Sequence, residues 1–136
     1  MNWQGRRVAV LGLGKSGLAA ARLLQRAGCR VRVSDARDTE ELRRTAAALR
    51  EAGVEELELG GHSRRIMDGC EAVIVSPGIA ESLPYLRQAV EQGVSLLSEI
   101  ELAFRFCGSP VVAVTGTNGK SSVVTLLQRV LTAAGR

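Results

Sequence analysis

Two glycine-rich stretches carry most of the residues able to do chemistry in this chain. Gly12-Leu13-Gly14-Lys15-Ser16-Gly17 follows the apolar run Val8-Ala9-Val10-Leu11, and Thr115-Gly116-Thr117-Asn118-Gly119-Lys120-Ser121-Ser122 follows Val111-Val112-Ala113-Val114. Glycines let a backbone bend around a phosphate. A helix that starts directly after such a turn offers free N–H groups and the positive end of its dipole to an anion. In the second stretch Lys120 is placed to reach the outer phosphates of a nucleotide, and the Ser121 hydroxyl to ligate magnesium. This stretch departs from the usual G-x-x-x-x-G-K-[ST], because Val114 stands where the first glycine belongs.

The flanking elements agree with phosphate-binding turns. After the second turn, Val123, Leu126, Leu127, Val130, Leu131 and Ala134 recur at helical spacing. After the first, Ala20, Leu23, Leu24 and Ala27 share a helical face that Gly28 ends, and the strand Val31-Arg32-Val33-Ser34 then delivers Asp35. Asp35 lies close to the ~20-residue spacing at which an acid completes the strand, glycine turn, helix and strand series of a dinucleotide site. On its own that series suggests NAD, with Asp35 holding the ribose hydroxyls.

Between the two turns the chain alternates short strands with helices. Asp38 and Glu41 form a capping box for a helix carrying Leu42, Ala46 and Leu49. A strand at residues 57–59 leads into Gly60-Gly61-His62-Ser63, and a short helix or turn is expected at residues 64–69. His62 is the only histidine, and with no acidic or thiol partner nearby in the sequence it is not assigned a catalytic role. Ala72-Val73-Ile74-Val75 ends in Ser76-Pro77-Gly78-Ile79, at the carboxyl end of a strand where open α/β sheets bind ligands. The same residues make an ordinary tight turn equally well. Ser82 is placed to cap a helix through Leu83, Leu86 and Val90, and Val94-Ser95-Leu96-Leu97 is the last short strand. Ser98-Glu99-Ile100-Glu101 is a second capping box, for a helix with Ile100, Ala103, Phe104 and Cys107 on one face. The pattern is α/β: a Rossmann-like, open, mostly parallel five-stranded sheet with helices on both faces in residues 1–97. Residues 98–136 read as the beginning of a second α/β domain, its first strand, phosphate loop and helix.

Composition narrows the function classes. The chain has 136 residues, 46% hydrophobic and 24% charged, ordinary values for a soluble globular protein with one full core. Its formal charge of +4 comes from arginines scattered along the sequence, with Lys15 and Lys120 the only lysines, which argues for solvated faces over a nucleic-acid stripe. One Trp, one Tyr and two Phe are too few for a base-stacking platform. Cys29, Cys70 and Cys107 lack metal or disulfide spacing and read as buried reduced thiols of a cytoplasmic protein. Neither a signal peptide nor a membrane span is expected.

Taken together, the motifs resemble those of the Mur ligases of peptidoglycan synthesis. The resemblance covers essentially the whole chain. It rests on Gly12-Leu13-Gly14-Lys15-Ser16-Gly17-Leu18, Asp35-Ala36-Arg37, Ser76-Pro77-Gly78-Ile79, Glu99-Ile100-Glu101-Leu102 and Thr115-Gly116-Thr117-Asn118-Gly119-Lys120-Ser121-Ser122, in the family's order. Asn118 resembles the members that add D-glutamate, whereas those that add L-alanine typically carry His there. The resemblance changes the meaning of the first loop from NAD to uridine diphosphate. It implies that the helix start at Gly14, Lys15, Ser16 and Gly17 holds the diphosphate, and that Asp35 accepts the pyrimidine N–H. Ala36 and Arg37 fall on neighbouring uracil contacts, with some members carrying a hydroxyl residue where Ala36 stands. Ser76, Pro77 and Gly78 fall on a loop close to the uridine diphosphate.

The resemblance further implies an ATP and Mg2+ site at Gly116, Thr117, Asn118, Gly119, Lys120, Ser121 and Ser122. Lys120 would be the catalytic cation on the outer phosphates and Ser121 the metal ligand. The implied reaction transfers the γ-phosphoryl of ATP to the carboxylate of UDP-N-acetylmuramoyl-L-alanine, and the amine of D-glutamate then attacks the acyl phosphate. In the family the metal-binding acids, a carbamylated lysine and the D-glutamate pocket lie beyond the position of Arg136. The chain is therefore read as the front of a longer enzyme and is not expected to catalyse by itself. An NAD-dependent oxidoreductase domain and a non-catalytic nucleotide sensor are the rival readings.

Overall fold

Runs of Val, Ile, Leu and Ala with no polar interruption form strands buried on both faces, and two such strands, at residues 8–11 and 72–75, lie in the middle of the fold. In the computed structural model, which describes residues 2–79 and 83–135, β1 (Arg7–Leu11) pairs in parallel with β2 (Arg30–Asp35) and with β4 (Ala72–Val75). β3 (Glu56–Leu59) extends the sheet beside β2, and β5 (Ser95–Ser98) beside β4, giving the order β3-β2-β1-β4-β5 with every pairing parallel. Val10 sits between Val33 and Ile74 in register.

Side chains alternate across a strand, so the sheet has two apolar faces. Val8, Val10, Val31, Val33 and Ile74 point to one, where Ala20, Ala21 and Leu24 of α1 (Lys15–Arg26) and Leu42 and Leu49 of α2 (Glu40–Glu51) cover them. Ala9, Leu11, Val73 and Val75 point to the other, under Ile66 and Met67 of α3 (Arg64–Met67) and Leu86 of α4 (Pro84–Glu91). Burying each Val, Leu or Ile stabilises the fold by about 1.5–3 kcal/mol.

The chain divides into two units, Met1–Phe106 and Cys107–Arg136. The first extends past the boundary expected at residue 97, because α5 (Glu99–Phe106) places Leu102, 1% exposed, in the first core cluster. Phe106 also stacks on Trp3, with ring centroids 5.5 Å apart. The strand expected at residues 111–114 is not one: these residues form no regular element and Val111 and Val112 are exposed. A parallel strand is held by hydrogen bonds to a neighbour, and among the described residues the second unit has one regular element, the helix α6 (Lys120–Ala133).

Smaller corrections have equally local causes. Thr39, not Asp38, caps α2, its hydroxyl accepting from Leu42 N at 3.3 Å, while the Asp38 carboxylate pairs with Arg43 at 2.7 and 2.8 Å. The expected cap at Ser82 lies outside the described residues; α4 begins with Pro84 at its first position. Ser98 does cap α5, accepting from Glu101 N at 3.1 Å. Cys29 is half-buried and Cys70 buried, its thiol pushed up to about 11 by burial, but Cys107 is exposed.

Candidate functional site

The carboxyl ends of β1, β2 and β4 meet where the chain leaves the central strand in both directions, and a cleft of about 440 Å³ opens there. β1 delivers Gly12 and Gly14, β2 delivers Asp35 followed by Ala36 and Arg37, and β4 delivers Ser76, Pro77 and Gly78. Backbone contacts fix the junction. Gly12 N donates to Ser34 O at 2.7 Å, and Ser76 N donates to Leu11 O at 3.0 Å. Only glycine fits at two points: a Cβ on Gly17 would lie 2.0 Å from Gly12 O, and one on Gly12, whose φ is +97°, would lie 2.6 Å from the Ser76 side chain. A Cβ on Gly14 would meet nothing within 4 Å.

The opening of α1 faces this cleft. Its first intrahelical bond runs from Leu18 N to Gly14 O at 2.9 Å, so the amides of Lys15, Ser16 and Gly17 have no acceptor within the helix. Ser16 lines the cleft beside Gly14. Lys15 instead lines a neighbouring hollow with Leu18 and Thr39, and Gly17 sits beneath, packed on Gly12. The cleft therefore combines a helix N-terminus suited to an anion with a polar end around Asp35.

Asp35 is buried, 3% exposed, yet ionised. Burial by itself would raise its pKa. The Arg37 side chain, bonded to it at 3.0 Å through both Nε and the terminal nitrogen, outweighs that burial together with the amides of Leu13 (2.7 Å) and Arg37 (2.9 Å), and the pKa falls to about 2. These four donors fill the acceptor positions of the carboxylate. Because the Arg37 side chain is 63% exposed, its guanidinium can move into solvent when another donor takes its place on the carboxylate.

His62 was not assigned to the site by the sequence, but it lines the cleft. Its Nδ1 lies 2.8 Å from Ser34 Oγ, and burial lowers its pKa, against the opposing charges of Asp35 and Glu58. The available signal was its position just past a parallel strand, on the edge of the sheet that bears Asp35. Ser76 Oγ donates to Glu99 Oε1 at 2.5 Å, tying the loop after β4 to the first turn of α5.

The second unit holds the other loop. Gly119, at φ +78°, precedes α6, and the first intrahelical bond is Val123 N to Gly119 O at 3.0 Å, which leaves the amides of Lys120, Ser121 and Ser122 without a helical acceptor. Lys120 Nζ turns back on its own loop, donating to Gly116 O at 2.5 Å and Thr117 O at 3.4 Å. Thr117, Asn118 and Ser121 are exposed with it. Among the described residues no group of three His, Cys, Asp or Glu side chains could hold a metal ion. What the loop supplies is the Ser121 hydroxyl, which suits magnesium, an ion that keeps most of its ligands as water and substrate phosphates.

A family model described as "Mur ligase MurD-like, N-terminal domain" matches residues 6–98. The chain belongs to this Mur ligase family. The matched segment runs from the edge of β1 to the end of β5 and contains every residue lining the cleft. A relative from Desulfosudis oleivorans, "UDP-N-acetylmuramoylalanine--D-glutamate ligase", is 46% identical over 98% of this chain and 29% of its own length. One of the same name from Koribacter versatilis is 39% identical over 100% of this chain and 30% of its own. Among solved structures, a pseudomurein peptide ligase type C from Methanothermus fervidus has a TM-score of 0.62 and 28% identity, covering 96% of this chain and 27% of that one. The chain thus spans less than a third of the length of the curated relatives it matches. No helix among the described residues is long and apolar enough to cross a membrane.

Proposed function

We propose that this chain forms the uridine-diphosphate-binding part, and carries the ATP phosphate loop, of a cytoplasmic ligase that adds D-glutamate to UDP-N-acetylmuramoyl-L-alanine. The observation that carries the reading is the cleft itself, in which the start of α1, the Asp35-Ala36-Arg37 edge and the Ser76-Pro77-Gly78 loop converge on one volume. The diphosphate would sit on the amides of Lys15, Ser16 and Gly17, where the helix dipole favours negative charge. The pyrimidine N–H would replace Arg37 on the Asp35 carboxylate, a donor for a donor. The names of the relatives support this substrate class.

The ATP part of the proposal rests on residues 116–122. Lys120 would leave Gly116 O to neutralise the outer phosphates, Ser121 would ligate Mg2+, and Asn118 and Gly119 would shape the turn. In the longer protein, phosphoryl transfer from ATP would activate the L-alanyl carboxylate as an acyl phosphate for attack by the D-glutamate amine. Calorimetric titration of the chain with UDP and with NADH tests the proposal. Saturable UDP binding with no NADH response is expected, and tight NADH binding without UDP binding would overturn it in favour of an oxidoreductase domain.

A further inference from the structure

Buried Ser34 and half-buried His62 form a pair that the loop chemistry above does not use. Ser34 is the penultimate residue of β2 and is 0% exposed, and its Oγ meets the His62 ring at Nδ1, 2.8 Å away. No other partner of the Ser34 hydroxyl occurs among the described residues. A hydroxyl has one proton and two lone pairs, and leaving a buried O–H without an acceptor costs more than leaving a lone pair unused. Ser34 therefore donates, Nδ1 accepts, and the ring proton resides on Nε2. Partial burial lowers the pKa of the ring against the pull of Asp35 and Glu58, which favours the neutral form this hydrogen bond requires.

We propose that His62 reads the nucleobase, its Nε2–H donating to a pyrimidine carbonyl oxygen while the Asp35 carboxylate accepts the adjacent ring N–H. This rests on the uridine diphosphate reading of the cleft. Both residues line that cleft, His62 able to supply a donor and Asp35 an acceptor. Uracil offers the complementary pair, carbonyl O4 beside N3–H. Cytosine offers the reverse, an exocyclic amine beside an unprotonated ring nitrogen, and mismatches at both atoms. Sites built to hydrogen-bond one group reject analogues that leave their buried polar atoms unpaired. Ser34 is a positioning residue in this scheme: it is wholly buried and acts by fixing which nitrogen of His62 carries the proton.

The test is calorimetry of the chain and its His62→Ala, His62→Gln and Ser34→Ala variants with UDP, CDP and inorganic pyrophosphate, together with 15N spectra of the imidazole. The chain should favour UDP over CDP by about tenfold or more. His62→Ala should lose about tenfold in UDP affinity and most of that preference, with pyrophosphate affinity unchanged. His62→Gln, which keeps an N–H donor, should recover part of the preference, and Ser34→Ala should weaken it while the spectra show a mixture of tautomers. The Nε2 resonance should shift on adding UDP and stay put with pyrophosphate. Unchanged UDP-to-CDP discrimination in His62→Ala, or an equal loss for pyrophosphate, overturns the assignment of His62. Absence of UDP binding by the unsubstituted chain overturns the uridine diphosphate reading and this inference with it.

Discussion

Burial and pairing compete at Asp35, and pairing wins. Because the folded pKa of about 2 lies below the ordinary 3.8, the carboxylate contributes stability that is fully present above pH 4 and is lost as pH falls through about 2. The contribution is on the order of 2 kcal/mol. Urea unfolding between pH 5 and pH 2 should show that loss, and Asp35→Asn should show a shallower one. In binding, Asp35→Ala should weaken UDP by about 1.5–3 kcal/mol, the scale of a hydrogen bond to a charged group, and leave pyrophosphate affinity intact. Equal loss for both ligands would count against a role at the base. Asp35 was legible in the sequence because an acid after the second strand follows from chain geometry. His62 was not, since its meaning depends on Ser34, with 28 intervening steps of chain between them.

At the scale of elements, α1 links fold and site, and its two glycines separate these roles. A Cβ on Gly17 would lie 2.0 Å from a backbone oxygen, so Gly17→Ala must push α1 off β1 and should cost about 1–3 kcal/mol or more in urea unfolding. Gly14 has φ −65° and open space around its Cβ position, so Gly14→Ala should leave stability within about 0.5 kcal/mol while weakening pyrophosphate and UDP alike. Similar destabilisation by both substitutions would contradict this division. Strands β1 and β4 were readable as apolar runs because their neighbours bury both faces. Residues 111–114 have the same composition, yet form no strand, since composition records a preference and pairing decides. The cap of α2 slipped by one residue for a related reason: Asp38 and Thr39 both suit a helix start, and Arg43 engages Asp38.

Across the whole molecule, charge is arranged by strand direction. Glu55 gathers Arg7, Arg30 and Arg32 at the amino ends of the strands, whereas the cleft lies at their carboxyl ends. The scattered arginines of the sequence gave no hint of that clustering, because β2 is separated from β1 by a full helix. In the second unit no residue of α6 is buried, and Val123, Leu126 and Val130 are exposed, about half or more. A phosphate loop whose residues are exposed offers few walls to a nucleotide, so this chain should bind Mg-ATP at least tenfold more weakly than UDP by calorimetry. Micromolar Mg-ATP binding would show that residues 116–122 suffice. The central claim, that one cleft holds a uridine diphosphate with its phosphates on α1, is tested most directly by amide-resolved NMR titration of the chain with UDP and with pyrophosphate. The amides of Lys15, Ser16 and Gly17 should shift with both ligands, and those of Ala36, Arg37 and His62 with UDP alone; shifts confined to residues 116–122, or none around α1, would contradict the account.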